Sequence, residues 1–318
     1  MKEILGIHHV TAIASDPQRN LDFYTGVLGL RLVKLTVNYD DPGAYHLYYG
    51  DEAGHPGTIL TFFAWPGAPH GRRGTQQATT ISFSIPETAL GYWMERFKVR
   101  GVAFEKPIVR PDEEALVFFD PDGLQLELAA HNAAEAHDPW RDGPVPGEHA
   151  IRGFHSVTLS EQRHERTASL LTETLGFRLA RESGERLRYE VNHGGTGVMV
   201  DVLRQPREAP GRVAVGSVHH VAWRTPDGKQ QLAWRHVISR AGLDVTQVMD
   251  RQYFHSIYFR EPGGVLFEIA TDPPGFAVDE ALEQLGTQLK LPPWLEPMRA
   301  DIERGLPPIR VQQIGSRG

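Results

Sequence analysis

Cysteine is absent from the chain. That absence excludes disulfides, a thiolate nucleophile, cysteine-ligated zinc and iron–sulfur clusters, so any metal must rest on His, Asp, Glu or Tyr. Motifs for a serine nucleophile or a phosphate cradle are also missing: there is no Gly-x-Ser-x-Gly, no P-loop and no His-Glu-x-x-His. Gly194-Gly195-Thr196-Gly197 lacks the strand-then-helix setting that a dinucleotide site needs. Basic excess is lacking too. Lys and Arg number 33 against 40 acidic residues, a formal charge of −7, which argues against nucleic acid or an anionic membrane as partner. The first fifteen residues carry His8 and His9 and end in Ser15-Asp16-Pro17, a strand entering a helix cap rather than a signal peptide, and no apolar run is long enough for a membrane span. A cytoplasmic protein is expected.

With 40% hydrophobic and 23% charged residues the chain can bury a sizeable core, and its 318 residues suggest two domains. An internal repeat organises it. Gly6-Ile7-His8-His9-Val10-Thr11 recurs as Gly153-Phe154-His155-Ser156-Val157-Thr158, and Leu28-Gly29-Leu30 recurs at the same offset as Leu175-Gly176-Phe177. Thr79-Thr80-Ile81-Ser82-Phe83 resembles His219-His220-Val221-Ala222-Trp223, and the segment from Asp120 to Glu127 resembles that from Glu261 to Glu268. Four similar units in two halves follow. In the first, His9 to Ala14 reads as a strand, Asp16-Pro17 as a helix cap, and Leu21, Tyr24 and Leu28 as one helical face ended by Gly29. Strands over Leu30–Val37, Tyr45–Tyr49 and Thr58–Phe63 complete a βαβββ unit. The expected division is a first pair of units over 1–137, a Pro/Gly-rich linker over 138–152, a second pair over 153–272, and over 273–318 an amphipathic helix (Asp279 to Leu289) followed by a Pro-rich tail.

Histidine and carboxylate chemistry remains. Side chains alternate faces along a strand, so only one of each His-His pair can face inward, and we take the second: His9 in the first unit, His220 in the fourth. Glu268 lies on the last strand of the fourth unit. If a metal centre takes first-strand and last-strand residues from two paired units, pairing first with fourth collects His9, His220 and Glu268. Pairing second with third collects Thr80, Glu127 and Ser156, which cannot hold a transition metal tightly. Two histidines and one carboxylate leave coordination positions open, as in non-haem Fe(II) oxygenases. An ordinary core or surface residue is the plainer reading of any single histidine; three ligand types at matched positions of repeated units favour a site. His131, Glu135 and His137, beside the linker, read instead as a solvated helix end.

At these residues the sequence resembles the vicinal oxygen chelate superfamily, which includes glyoxalase I, bleomycin-resistance proteins and extradiol dioxygenases, and within it the hydroquinone-type ring-cleaving dioxygenases. The likeness is carried by Gly6–Thr11, Tyr45-His46-Leu47-Tyr48-Tyr49-Gly50-Asp51, His219–Ala222, Tyr253–Gly264 and Leu291-Pro292-Pro293-Trp294-Leu295-Glu296-Pro297. It implies an α+β fold of four βαβββ modules paired into two incomplete barrels. It further implies Fe(II), with Mn(II) as a substitute, held between the first and fourth modules, and a small aromatic substrate and dioxygen as partners. Ser156 departs from the usual extradiol pattern, which draws its ligands from the third and fourth modules. The resemblance suggests roles for Tyr258 and Arg251 beside the ion; a barrel-lining aromatic and a solvated strand end are the structural alternatives. His8, His219 and His255 are candidate proton shuttles. Two other classes share the scaffold: a glyoxalase-like metal-dependent lyase or isomerase, disfavoured because Thr61 or Phe62 stands where a second carboxylate is expected, and a metal-free protein that binds an aromatic or antibiotic. A homo-oligomer is carried as an expectation.

Overall fold

The computed structural model describes residues 3–133 and 137–311. Each of four successive modules is a strand, a helix and three strands. The first holds β1 (Ile7–Ala14), α1 (Pro17–Leu21), β2 (Arg31–Asn38), β3 (Asp41–Gly50) and β4 (Ile59–Ala64), and the second β5 (Gln77–Pro86), α2 (Leu90–Arg100), β6 (Ile108–Arg110), β7 (Glu113–Phe119) and β8 (Gln125–His131). The third holds β9 (Phe154–Glu161), α3 (Glu165–Ser169), β10 (Arg178–Ser183), β11 (Arg186–Glu190) and β12 (Met199–Arg204). The fourth holds β13 (Val218–Thr225), α4 (Gly228–Arg240), β14 (Met249–Asp250), β15 (His255–Arg260) and β16 (Leu266–Thr271).

The strands form two curled eight-stranded sheets, β14-β15-β16-β13-β1-β4-β3-β2 and β10-β11-β12-β9-β5-β8-β7-β6. Each half-barrel therefore takes one module from each half of the chain, first with fourth and second with third, joined by the antiparallel pairs β1/β13 and β5/β9. Within each module the first and last strands lie parallel and adjacent, which the helical crossover permits. This adjacency places first-strand and last-strand side chains side by side at each seam.

The opening helix forms where its cap residues place it. Asp16 accepts from the Arg19 N–H at 2.8 Å, Pro17 occupies the first turn, and the helix widens into a π-type turn over Asp22–Val27. Gly29 ends this helical segment at φ 70°, with Val145 so close that a Cβ would lie 2.6 Å from its side chain. The linker is thus docked, and Val145, Ala150 and Ile151 are buried.

The tail departs from expectation. Residues 279–289 form no α-helix; a short 3-10 turn (Leu282–Gln284) is followed by turns and bends up to Leu289, which bridges to Leu35, and the Lys290 N–H donates to Leu35 O at 2.9 Å. The cause is the fully buried Lys34, whose ammonium binds Asp279 at 2.6 Å and also Glu280. Neighbouring residues point in different directions on a helix, so an irregular backbone is what lets both carboxylates reach one ammonium. Helix forms later, as α5 (Arg299–Gly305), and Leu291, Leu295, Ile302 and Leu306 bury the tail's apolar face.

Where the two half-barrels touch, Glu161 at the end of β9 lies near Glu261 of the β15–β16 turn, and burial followed by the Glu261 charge pushes Glu161 up to about 8. A carboxyl raised in the fold favours the folded state in its protonated form. That contribution is full below the ordinary carboxylate range and is lost as pH rises through about 8. Glu161→Gln is therefore expected to melt with the wild type at pH 4 and above it at pH 8 and higher. Thermal melts that coincide across this range would contradict the assignment.

Candidate metal centre

His9 on β1 lies opposite Ala222 of β13, Thr11 opposite His220, and Glu268 of β16 is in register with Ala222. This arrangement brings His9, His220 and Glu268 together, all buried. His9 Nε2 lies 3.3 Å from His220 Nε2 and 3.3 Å from Glu268 Oε2, and His220 Nε2 lies 3.0 Å from the same oxygen. Ligands at about 2.1 Å from one ion stand about 3.0 Å apart at octahedral angles and about 3.4 Å apart at tetrahedral ones, so the three atoms are spaced to share one ion.

The hydrogen bonds behind the candidate ligand His9 fix which of its nitrogens faces the other two side chains. His8 Nε2 lies 3.2 Å from Thr271 O, a carbonyl that can only accept, so that nitrogen carries hydrogen. Burial, then the neighbouring His9, holds His8 well below its ordinary range, so it is neutral and its Nδ1 is bare. His9 Nδ1, 2.9 Å away, must donate to it. Nε2 of His9 is then the nitrogen left to take a second proton or a cation. In the fourth module His219 Nδ1 lies 2.8 Å from His220 Nδ1, and burial, then His220, lowers His219 to about 3, so the pair shares one hydrogen behind His220. On Glu268, Oε1 accepts from Ser256 Oγ, while Oε2 has no hydrogen-bond partner among the described residues and faces the two imidazoles. Burial alone would raise this carboxyl, but His9 and His220 hold it well below the carboxylate range. An ionised, half-satisfied carboxylate against two oriented imidazoles suits a divalent cation.

The centre opens on a cavity of about 280 Å³ whose lining includes His9, Thr11, His46, Phe63, His219, His220, Phe254 and Tyr258. Tyr258 is opposite Glu268 on β15, its ring 5.7 Å from that of His220. Arg251 donates from Nε to the Tyr258 oxygen at 3.1 Å and is held by Asp40 at 3.1 Å. Burial, then the Glu268 charge, raises the Tyr258 phenol, which keeps its proton and can donate it. Of the three candidate shuttles, His219 lines the cavity and His8 stands behind His9. His255 is exposed and lies outside the cavity lining.

Several lining residues were not singled out from the sequence, namely His46, Tyr48, Phe63, Phe254 and the Asn38–Asp40 turn. Strand alternation over Tyr45-His46-Leu47-Tyr48 could have marked His46 and Tyr48 as sharing a face. Thr61 is the residue that projects toward the site from β4, bonded to Thr11 and His46, whereas Phe62 is in the core.

The equivalent place in the other half-barrel is closed by charge. Arg110 binds Glu127 at 2.6 and 2.8 Å, Ser82 donates to it at 2.8 Å, and Thr80 accepts from Gln125. Ser156, opposite Ser82, supplies no ligand to match His9. Near the linker, His131 is buried, with Nε2 2.9 Å from Ser84 Oγ, rather than solvated. His137 lies 3.8 Å from Asp51, and Glu135 falls outside the described residues.

The chain belongs to the Glyoxalase/Bleomycin resistance protein/Dioxygenase superfamily, whose family model matches residues 6–128 and 153–269. Among individual proteins, it is 46% identical over 313 residues to MhqO of Bacillus subtilis, provisionally named a ring-cleaving dioxygenase, covering 98% of this chain and 99% of that one. It is 36% identical to a chlorohydroquinone/hydroquinone 1,2-dioxygenase of Sphingobium indicum, covering 95% and 96% of the two chains. A Bacillus subtilis crystal structure, provisionally named a dioxygenase, superposes with a TM-score of 0.94 at 46% identity over 98% of this chain and all of that one. Maize glyoxalase I, at 15% identity and a TM-score of 0.62 over 84% and 92% of the two chains, shares the fold. These relatives support a dioxygenase function. Among the described residues no helix is long and apolar enough to cross a membrane.

Proposed function

We propose that the protein is an Fe(II)-dependent ring-cleaving dioxygenase that opens a hydroquinone- or catechol-type dihydroxylated aromatic with dioxygen. The observation that carries this reading is the convergence of His9 Nε2, His220 Nε2 and Glu268 Oε2 within 3.3 Å of one another at an apolar-walled cavity. Those three residues would hold Fe(II), and Mn(II) suits the same nitrogen and oxygen donors. The metal supplies the one-electron chemistry that lets triplet dioxygen react with a closed-shell ring.

The chain's own groups do the rest. Phe63 and Phe254 wall the cavity and exclude water from the bound ring. Tyr258, its oxygen already accepting from Arg251, directs its proton into the cavity toward the substrate oxygen nearest the metal. The Arg251 guanidinium stabilises negative charge that develops there. Of the candidate shuttles His219 is the one that lines the cavity; lowered to about 3 it rests neutral, so it accepts a proton from the ring only transiently. His8 acts through His9 by fixing its tautomer, and the exposed His255 has no contact with the reacting groups.

Oxygen uptake by Fe(II)-loaded protein is expected with hydroquinone and absent with buffer. Metal-dependent turnover of a hemithioacetal, or tight aromatic binding without any turnover, would instead favour the lyase or the binding protein. For Tyr258→Phe, retained iron with turnover slower by about 10²-fold is expected. Unchanged steady-state kinetics in that variant would remove the phenol from the reaction.

A further inference from the structure

Two cavity-lining side chains on β3, His46 and Tyr48, take no part in the metal centre. They stand two residues apart on one strand and so share its inward face. His46 Nδ1 is 2.9 Å from Tyr48 OH, His46 Nε2 is 2.8 Å from Thr61 Oγ1, and Thr61 Oγ1 is 2.8 Å from Thr11 Oγ1. This chain of four polar groups lies on the wall formed by β1, β4 and β3. Glu268 and Tyr258 lie on the wall formed by β16 and β15, across the β1/β13 seam. Phe63 packs against the His46 ring at 4.4 Å, so the polar pair is framed by an aromatic surface.

The inference rests on the dioxygenase reading above and concerns which diol that site takes. Adjacent ring hydroxyls can both reach one ion, whereas hydroxyls in a 1,4 relation cannot. The second oxygen of a 1,4-diol must therefore lie off the metal, inside a largely apolar cavity, where an unmatched hydroxyl is costly. We propose that His46 and Tyr48 form the subsite for the ring hydroxyl that the metal does not hold, and that this pair selects 1,4- over 1,2-dihydroxylated rings.

The pair suits either state of that oxygen. A neutral imidazole donates from one nitrogen and accepts at the other, and burial, then His9, keeps His46 well below its ordinary range. When Nε2–H donates to Thr61, Nδ1 accepts the Tyr48 proton and leaves the Tyr48 oxygen to accept from a ring hydroxyl. In the other tautomer Nδ1–H donates to Tyr48, whose own proton is then free for a ring oxygen that has lost its hydrogen. Tyr39, whose buried hydroxyl meets no partner in good hydrogen-bond geometry among the described residues, lines the same cavity and is the competing receiver.

Oxygen uptake by the iron-loaded wild type, His46→Phe, Tyr48→Phe and Tyr39→Phe, with hydroquinone, catechol and 4-methoxyphenol, separates these possibilities. In the wild type kcat/KM is expected to favour hydroquinone over both other phenols. Both β3 variants are expected to raise KM for hydroquinone about tenfold, leave kcat/KM for catechol and 4-methoxyphenol within about twofold, and keep full iron occupancy. Should His46→Phe fail to fold, Tyr48→Phe decides, since it removes a single oxygen atom. Equal losses on hydroquinone and catechol, no loss on either, or a loss confined to Tyr39→Phe would overturn the subsite. Wild-type uptake with catechol but not hydroquinone would overturn it while leaving the dioxygenase reading intact. No uptake with any diol would overturn the dioxygenase reading and this subsite with it.

Discussion

Glu268→Ala is expected to abolish iron binding and oxygen uptake together while leaving the fold in place. Glu268 is the one anionic member of the trio, and without it two neutral imidazoles remain to compete with water for the ion. Activity should fall by at least about 10³-fold, the order of what a catalytic metal contributes. The fold survives because the strand ladders on either side of Glu268 keep their backbone bonds, and the main orphan left behind is the Ser256 hydroxyl, worth about 1–3 kcal/mol. His9→Ala and His220→Ala should behave alike. Elemental analysis beside circular dichroism checks all three, and full iron occupancy in each single variant would count against the trio as ligands.

Arg188→Ala is expected to produce the largest loss of stability, with iron binding retained. Arg188 sits in the half-barrel without the candidate centre and binds Glu113 at 2.7 and 3.1 Å and Asp201 at 2.8 and 2.9 Å. Removing one guanidinium uncovers two buried carboxylates at once. Breaking a buried pair from one side costs about 3–5 kcal/mol. Arg110 and His155 still reach Glu113, and Arg186 still reaches Asp201, so the low end of that range is expected.

The pH dependence has a definite sign. Burial would raise both carboxyls, but His155 and Arg188 hold Glu113 below the ordinary range, and Arg188 with Arg186 does the same for Asp201. A depressed carboxyl stabilises the fold above its unfolded pKa and loses that contribution as pH falls toward its folded pKa. The gap between wild type and variant should therefore be full at neutral pH and narrow below about pH 4. Urea denaturation at pH 7 and pH 3 measures it; equal unfolding free energies at pH 7 would show that the network contributes nothing net.

What could be read from the sequence was what each module states by itself. The Gly-x-His-x-Val-Thr segment marks the first strand of the first and third modules, the Asp16-Pro17 cap the helix of the first, and the Asp120–Glu127/Glu261–Glu268 likeness the last strand of the second and fourth. Pairing first with fourth followed from asking which pairing gathers ligand types, and the structure pairs those modules. Features set by contacts between remote segments were hidden. Lys34 overrides the helical pattern of 279–289 through carboxylates more than 200 residues away. Glu113 and Arg188, 75 residues apart, show no local pattern that links them. His8 and His255 look alike in sequence, and only the bonds to Thr271 O and His9 Nδ1 distinguish a buried orienting imidazole from an exposed one. His46 and Tyr48 were visible as part of a resemblance, yet their shared direction into the cavity depends on the curl of the sheet.

An anomalous-difference map at the iron edge, from crystals of Fe(II)-loaded protein, is the most direct measurement of whether a metal centre exists where the first and fourth modules meet. One strong peak within about 2.0–2.3 Å of His9 Nε2, His220 Nε2 and Glu268 Oε2 is the expected result. A peak elsewhere, or none at that point under full iron loading, would contradict it.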